Sequence, residues 1–205
     1  MTLLAIIDHG AGNLVSIGQA LERAGASVRV VDRPAELAGA AGVVLPGVGS
    51  AGAAMERLTS AGFVGPLAEL GVPLLGICVG LQLLFDTAEE DGARCLGLIG
   101  GTVGRLQGTP RLPHIGWNDL QILRPDPLLA GLEEQPTFYF VHSYAPVPSD
   151  PEAVVAVAEY GVPLVAMVRA GCRVGVQFHP ERSGDNGARL LANFVADCGK
   201  ATDAA

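Results

Sequence analysis

No apolar run in this sequence approaches the roughly 18–20 residues that cross a bilayer, so no membrane helix is expected. Its start, Met1–Asp8, lacks the basic flank and small-residue cleavage site of a secretory leader and reads as a first strand. Basic residues are scarce. The 13 Lys and Arg against 21 Asp and Glu leave a formal charge of −8, which argues against a nucleic-acid backbone as the principal ligand. Metal-ligand spacing is missing too. Cys78, Cys95, Cys172 and Cys198 form no CxxC, and none of the four histidines has partners at a recognisable interval, so neither metal nor cofactor is expected. Repeats and low-complexity blocks are also absent. These gaps point to a soluble, cytoplasmic chain whose cysteines stay reduced.

What the chain does have is apolar residues in short bursts, 49% of the total. Its 205 residues suit one domain, 1–205 with a core at about 3–196, burying roughly 70% of the unfolded surface. Leu3–Ile7, Ser27–Val31, Gly42–Leu45 and Val72–Ile77 read as strands. Between them lie helix signals: Asn13 as a cap with Leu14, Ile17 and Leu21 at helical spacing, and Ser50 as a cap for a helix through Leu58. Gly80–Phe85 reads as a further helix. Wholly apolar strands alternating with helices predict an α/β fold with a mostly parallel central sheet covered on both faces. After about Gly100 the pattern becomes strand-rich: Thr102–Leu106, Leu120–Leu123, Thr137–His142, Val154–Ala158, Leu164–Val168 and Arg173–Phe178. A last helix from about Asn186 to Ala196 is expected, then a loose tail over the final six residues.

Chemistry concentrates in Gly76-Ile77-Cys78-Val79-Gly80, where a buried strand turns directly into a helix. This is a nucleophile-elbow pattern with cysteine in place of serine. Cys78 is expected to point into solvent near a helix N-terminus, a setting that favours a reactive thiolate. The alternative is a buried cysteine in a glycine-rich turn. A base is available in His179, at the end of the Arg173–Phe178 strand. Residues two apart on an extended chain share a side, so Glu181 can hold the imidazole in one tautomer. Leu45-Pro46-Gly47-Val48-Gly49 ends the third strand, where a glycine-rich loop can aim N–H groups at a developing oxyanion. Gln82 lies about one helical turn after Cys78 and can line the same pocket. His9 and His142 fall at strand ends, while His114 falls in a loop that looks exposed.

Together, Pro46–Gly49, Gly76–Gln82 and His179-Pro180-Glu181 resemble the class I (triad) glutamine amidotransferases, in that family's order. Three more segments, Asp8–Leu14, Leu112–Asn118 and Tyr139–Tyr144, together with Gln177–Gly184, look like the glutaminase subunits of imidazole glycerol phosphate synthase. The resemblance spans about residues 3 to 196 and implies a flavodoxin-like core. It implies glutamine hydrolysis by Cys78 with His179 and Glu181, and an oxyanion hole shaped by Gly47, Val48, Gly49 and Val79. It also implies glutamine held by Gln82, Ser143 and Tyr144, with Asn13, Trp117, Asn118, Tyr139 and Arg182 near a partner. That partner is a (β/α)₈-barrel cyclase subunit, receiving ammonia to make imidazole glycerol phosphate and an aminoimidazole carboxamide ribotide in histidine biosynthesis. His9 stands where many members have tyrosine, and Arg182 where lysine is common. Cys95, Cys172 and Cys198 match no catalytic position. A glutaminase of a pyridoxal phosphate or anthranilate synthase fits less well, given Gly116-Trp117-Asn118 and Val141-His142-Ser143-Tyr144. An α/β-hydrolase places its acid before its histidine, unlike Glu181. A silent binding module would leave a filled triad unexplained.

Overall fold

The computed structural model describes residues 1–203. The first half builds β1 (Leu3–Ile7), α1 (Leu14–Arg23), β2 (Ser27–Val31), β3 (Gly42–Gly47), α2 (Ala51–Ser60), α3 (Val64–Ala68) and β4 (Leu74–Cys78). The expected caps are in place: Asn13 accepts from Ser16 N–H, and Ser50 from Ala53 N–H. Every residue of β3 and β4 is buried, as strands covered on both faces require. Next comes α4 (Val79–Gln82), a single turn where Gly80–Phe85 was expected as helix. The chain leaves helical geometry because Leu83–Phe85 instead bond through their carbonyls to the segment Leu96–Ile99.

The second half contributes β5 (Thr87–Ala88), β6 (Ala93–Arg94), β7 (Gly101–Arg105), β8 (His114–Ile122), β9 (Thr137–His142), β10 (Tyr144–Pro148), β11 (Val154–Glu159), β12 (Pro163–Ala170), β13 (Arg173–Val176) and α5 (Gly184–Asp203). β8 starts well before the expected Leu120, so the loop expected around His114 is strand. β10 carries two prolines and gave no strand signal. It pairs only with β7, an edge position where proline costs no ladder bond. The loose tail is corrected in part, since helical backbone runs to Asp203. Ala204 and Ala205 lie outside the described residues.

The strands form a nine-stranded sheet, β2-β1-β3-β4-β13-β12-β11-β8-β9, and a four-stranded one, β10-β7-β5-β6. Pairing is parallel from β2 through β13 and antiparallel from β13 onward. β4 therefore lies between β3 and β13, and their carboxyl ends open side by side, with Gly47 opposite Cys78. α4 presses closely on this spot. A Cβ on Gly76 would stand 2.6 Å from the Gly80 carbonyl oxygen, and one on Gly80 would overlap the Leu45 carbonyl. Glycine at both ends of the elbow is what lets helix and sheet backbones touch.

Candidate active site

Cys78 has φ 56° and ψ −110°, the only non-glycine residue with positive φ among those described. Such backbone strain persists only where its surroundings enforce it, and it turns the side chain out of the sheet at a strand-to-helix corner. Contrary to expectation, the thiol does not face open solvent. Cys78 is 4% exposed, its S–H 3.9 Å from the Val141 carbonyl. Because α4 is one turn long, little of the thiol's setting comes from a helix dipole. Neighbouring side chains supply it instead.

His179 follows β13 and meets Glu181 as the sequence implied, with Nδ1–H donating to Oε1 at 2.8 Å and both side chains buried. The route differs from the extended geometry expected. Pro180–Arg182 forms a 3₁₀ turn that folds Glu181 back onto the ring. That turn is held against β9: His179 N–H donates to Tyr139 O, and Tyr139 N–H to Ser183 Oγ. With Nδ1 committed, Nε2 is the nitrogen left to work, and it has no aligned hydrogen bond. Burial alone would push the imidazolium's pKa down. The nearness of the Cys78 sulfur and then the Glu181 carboxylate outweigh burial and raise it to about 10.

Cys78 and His179 face a cleft of about 320 Å³ that Val48, Gly49, Val79, Gln82, Ser143 and Tyr144 also line. That is large enough for a small polar substrate. Of the residues expected to shape an oxyanion hole, Gly47 is buried beneath α4 and Gly49 has φ 88°. Glu90 lines the same cleft, and sequence reasoning missed it because it lies in an irregular segment with no local pattern. Burial raises its carboxyl pKa. His142 is there too, donating Nδ1–H to Tyr144 O at 2.8 Å, so its Nε2 accepts from His114 Nδ1–H at 3.1 Å. His114 is thus corrected from exposed loop to buried strand, stacked on Tyr160 at 4.0 Å between ring centroids. Desolvation lowers both imidazoles, His142 to about 4.

A second cavity of about 120 Å³ shares Val48, Val141 and His179 with the cleft and is also lined by Asn13, Ile77, Glu181 and Arg182. Trp117 and Tyr139 pair across β8 and β9 in a T-shaped contact at 5.9 Å, with Trp117 58% exposed. Asn118 is not brought to that face, because it alternates away and its amide donates to Glu159 O. His9 is buried, with Nε2–H donating to Pro46 O at 2.7 Å, so it braces the end of β3. Burial raises the thiol pKa of Cys95 to about 11, and burial with Asp197 raises that of Cys198 to about 12, far from a working nucleophile. Among the described residues, no group of three or more His, Cys, Asp or Glu is placed to hold a metal ion.

The class-I glutamine amidotransferase family model matches residues 5–198, a span that includes the strained Cys78 elbow and the carboxylate-held His179. This chain belongs to that family. Curated relatives of this amidotransferase include imidazole glycerol phosphate synthase subunit HisH of Xanthomonas oryzae pv. oryzae (strain MAFF 311018), 52% identical over 200 residues. That match covers 95% of this chain and 98% of the relative. The subunit of the same name from Xylella fastidiosa (strain 9a5c) is 51% identical over 197 residues, with the same coverage. Among solved structures, a glutamine amidotransferase superposes with TM-score 0.72 at 24% identity, covering 95% of this chain and 98% of that one. Another, PurLQS from Thermotoga maritima, gives TM-score 0.73 at 22% identity, covering 95% and 97%. These two show the fold of the amidotransferase. No described helix is long and apolar enough to cross a membrane.

Proposed function

We propose that this amidotransferase is the glutaminase subunit of an imidazole glycerol phosphate synthase, acting in histidine biosynthesis in the cytoplasm. The observation that carries the reading is buried Cys78, at its strained elbow, sharing one cleft with a His179 locked to Glu181. Cys78 sulfur attacks the carboxamide carbon of glutamine, and the resulting oxyanion is met by N–H groups of the Gly47–Gly49 loop and Val79. The imidazolium of His179 gives its proton to the departing nitrogen, releasing ammonia and leaving a γ-glutamyl thioester. His179 then takes a proton from water, whose oxygen displaces the sulfur and frees glutamate. Gln82, Ser143 and Tyr144 hold the substrate, and the Glu90 carboxylate suits its α-ammonium group.

The second cavity lies beyond His179, bordered by Asn13 and Arg182, and is an outlet of the right size for ammonia. Exposed Trp117 and half-buried Tyr139 pair on the β8–β9 face, which suits docking of a cyclase partner. Relatives above 50% identity carry the name of that synthase's subunit. The test is glutamate release by the chain alone and with the cyclase subunit plus its nucleotide ligand, with Cys78→Ala as control. Strong turnover only in the complex, lost in Cys78→Ala, is expected. A partner without effect would sink the histidine-pathway assignment and favour another synthase, such as a pyridoxal phosphate or anthranilate type.

A further inference from the structure

Behind the cleft lies a buried side chain that the mechanism above does not use. Gln177 is 0% exposed, between β13 and His179, and its amide bridges two members of the site. Its Oε1 accepts from Gln82 Nε2 at 3.2 Å, while its own Nε2 stands 3.7 Å from Cys78 Sγ. Gln82 Nε2 also donates to the Tyr144 carbonyl at 3.1 Å.

The direction of this chain is not free. A backbone carbonyl can only accept, so Tyr144 O fixes which end of the Gln82 amide is nitrogen. The second Gln82 hydrogen then points at Gln177 and requires an oxygen there. A primary amide has one acceptor end and one donor end, so the far end of Gln177 must be the NH₂ group. Reversing Gln177 would set two NH₂ groups against each other in the buried interior and strand a carbonyl against the sulfur. The polarity set at Tyr144, on the substrate side of the cleft, is therefore delivered as an N–H at the nucleophile.

We propose that Gln177 is a thiolate-stabilising residue, its amide held by Gln82 and the Tyr144 carbonyl so that an N–H meets the Cys78 sulfur. An N–H on sulfur favours the anion over the neutral thiol and fixes the lone pair that attacks. It does this without touching glutamine, because Gln177 is not among the residues lining the cleft. The inference rests on the reading of Cys78 as nucleophile.

The test is iodoacetamide alkylation of Cys78 in the full chain as a function of pH, alongside kcat and KM for glutamate release. Gln177→Met keeps the length and apolar packing but removes the donor. Its alkylation profile should move to higher pH by about one unit, and kcat should fall about tenfold, the factor one such unit represents. KM should stay within twofold. Gln177→Glu keeps the acceptor for Gln82 but turns an oxygen toward the sulfur, and should move the profile further the same way. It serves as the second variant should Gln177→Met fail to fold. An unchanged pH profile in a folded variant, or a rise in KM alone, overturns the inference. If wild-type Cys78 shows no titrating alkylation protected by glutamine, the nucleophile assignment itself fails, a result distinct from the other two.

Discussion

At the scale of single residues, two histidines in one cleft are pushed in opposite directions, with opposite consequences for stability. His179 sits between a sulfur and a carboxylate that favour its cation, whereas His142 is desolvated and faces another imidazole. A histidine lowered on folding stabilises fully above its unfolded value near 6.5, and that contribution is lost as pH falls toward about 4. A histidine raised on folding contributes fully below about 6.5 and loses its contribution as pH climbs through about 10. The His142 shift corresponds to about 3 kcal/mol of acid sensitivity. His142→Asn retains a donor for Tyr144 O and removes the titration. In urea melts between pH 7 and pH 4, wild type should lose about 3 kcal/mol more than the variant. Parallel curves would show that His142 is not the acid-labile group.

Elements explain how a one-turn helix and a five-residue strand can support this site. β4 gives way to α4 at Cys78, where Gly80 of α4 lies directly on Gly76 of β4 and Leu45 of β3, with no room for side chains between. The neighbouring loop after β3 is different, since a Cβ on Gly49 would meet nothing within 4 Å. Its demand is conformational, a φ of 88° that other residues adopt only at a cost of about 1–2 kcal/mol. We propose that glycines on both sides of Val48 let the loop turn a peptide N–H toward the oxyanion when the proposed cyclase partner is engaged. Gly49→Val should remove that option. Partner-stimulated turnover should fall on the order of 10²–10³-fold, the effect of one missing oxyanion donor, with the melting temperature lowered by only about 2–8 °C. Full stimulation in Gly49→Val would show that the loop does not move.

On the scale of the whole molecule, the nine-stranded sheet is parallel at one end and antiparallel at the other. Its parallel half delivers Cys78 and His179, and its antiparallel edge, β8 and β9, presents exposed Trp117 against Tyr139, the face proposed above for docking. Trp117→Ala should leave folding stability within about 0.5 kcal/mol, as for an exposed side chain. It should nevertheless weaken cyclase binding at least tenfold in titration calorimetry, since buried tryptophans dominate interfaces. Unaltered affinity would remove Trp117 from the docking face. The local sequence was sufficient for features that a few neighbouring residues determine. Apolar bursts gave the parallel strands, Asn13 and Ser50 marked helix starts, and the glycine spacing around Cys78 announced the elbow. It was equally sufficient for the pairing of His179 with Glu181, two positions apart, though not for the turn that joins them. Tertiary structure alone decided what depends on residues far apart in the chain. It buried Cys78 and carried His114 from an expected loop into a strand, stacked on Tyr160 and hydrogen-bonded to His142. It also stopped α4 after one turn and set Gln177 between Gln82 and the nucleophile. The reason is that burial and hydrogen-bond polarity belong to the assembled interior. Gln177 carries no mark in the sequence of which way its amide will face until the Tyr144 carbonyl, acting through Gln82, fixes it.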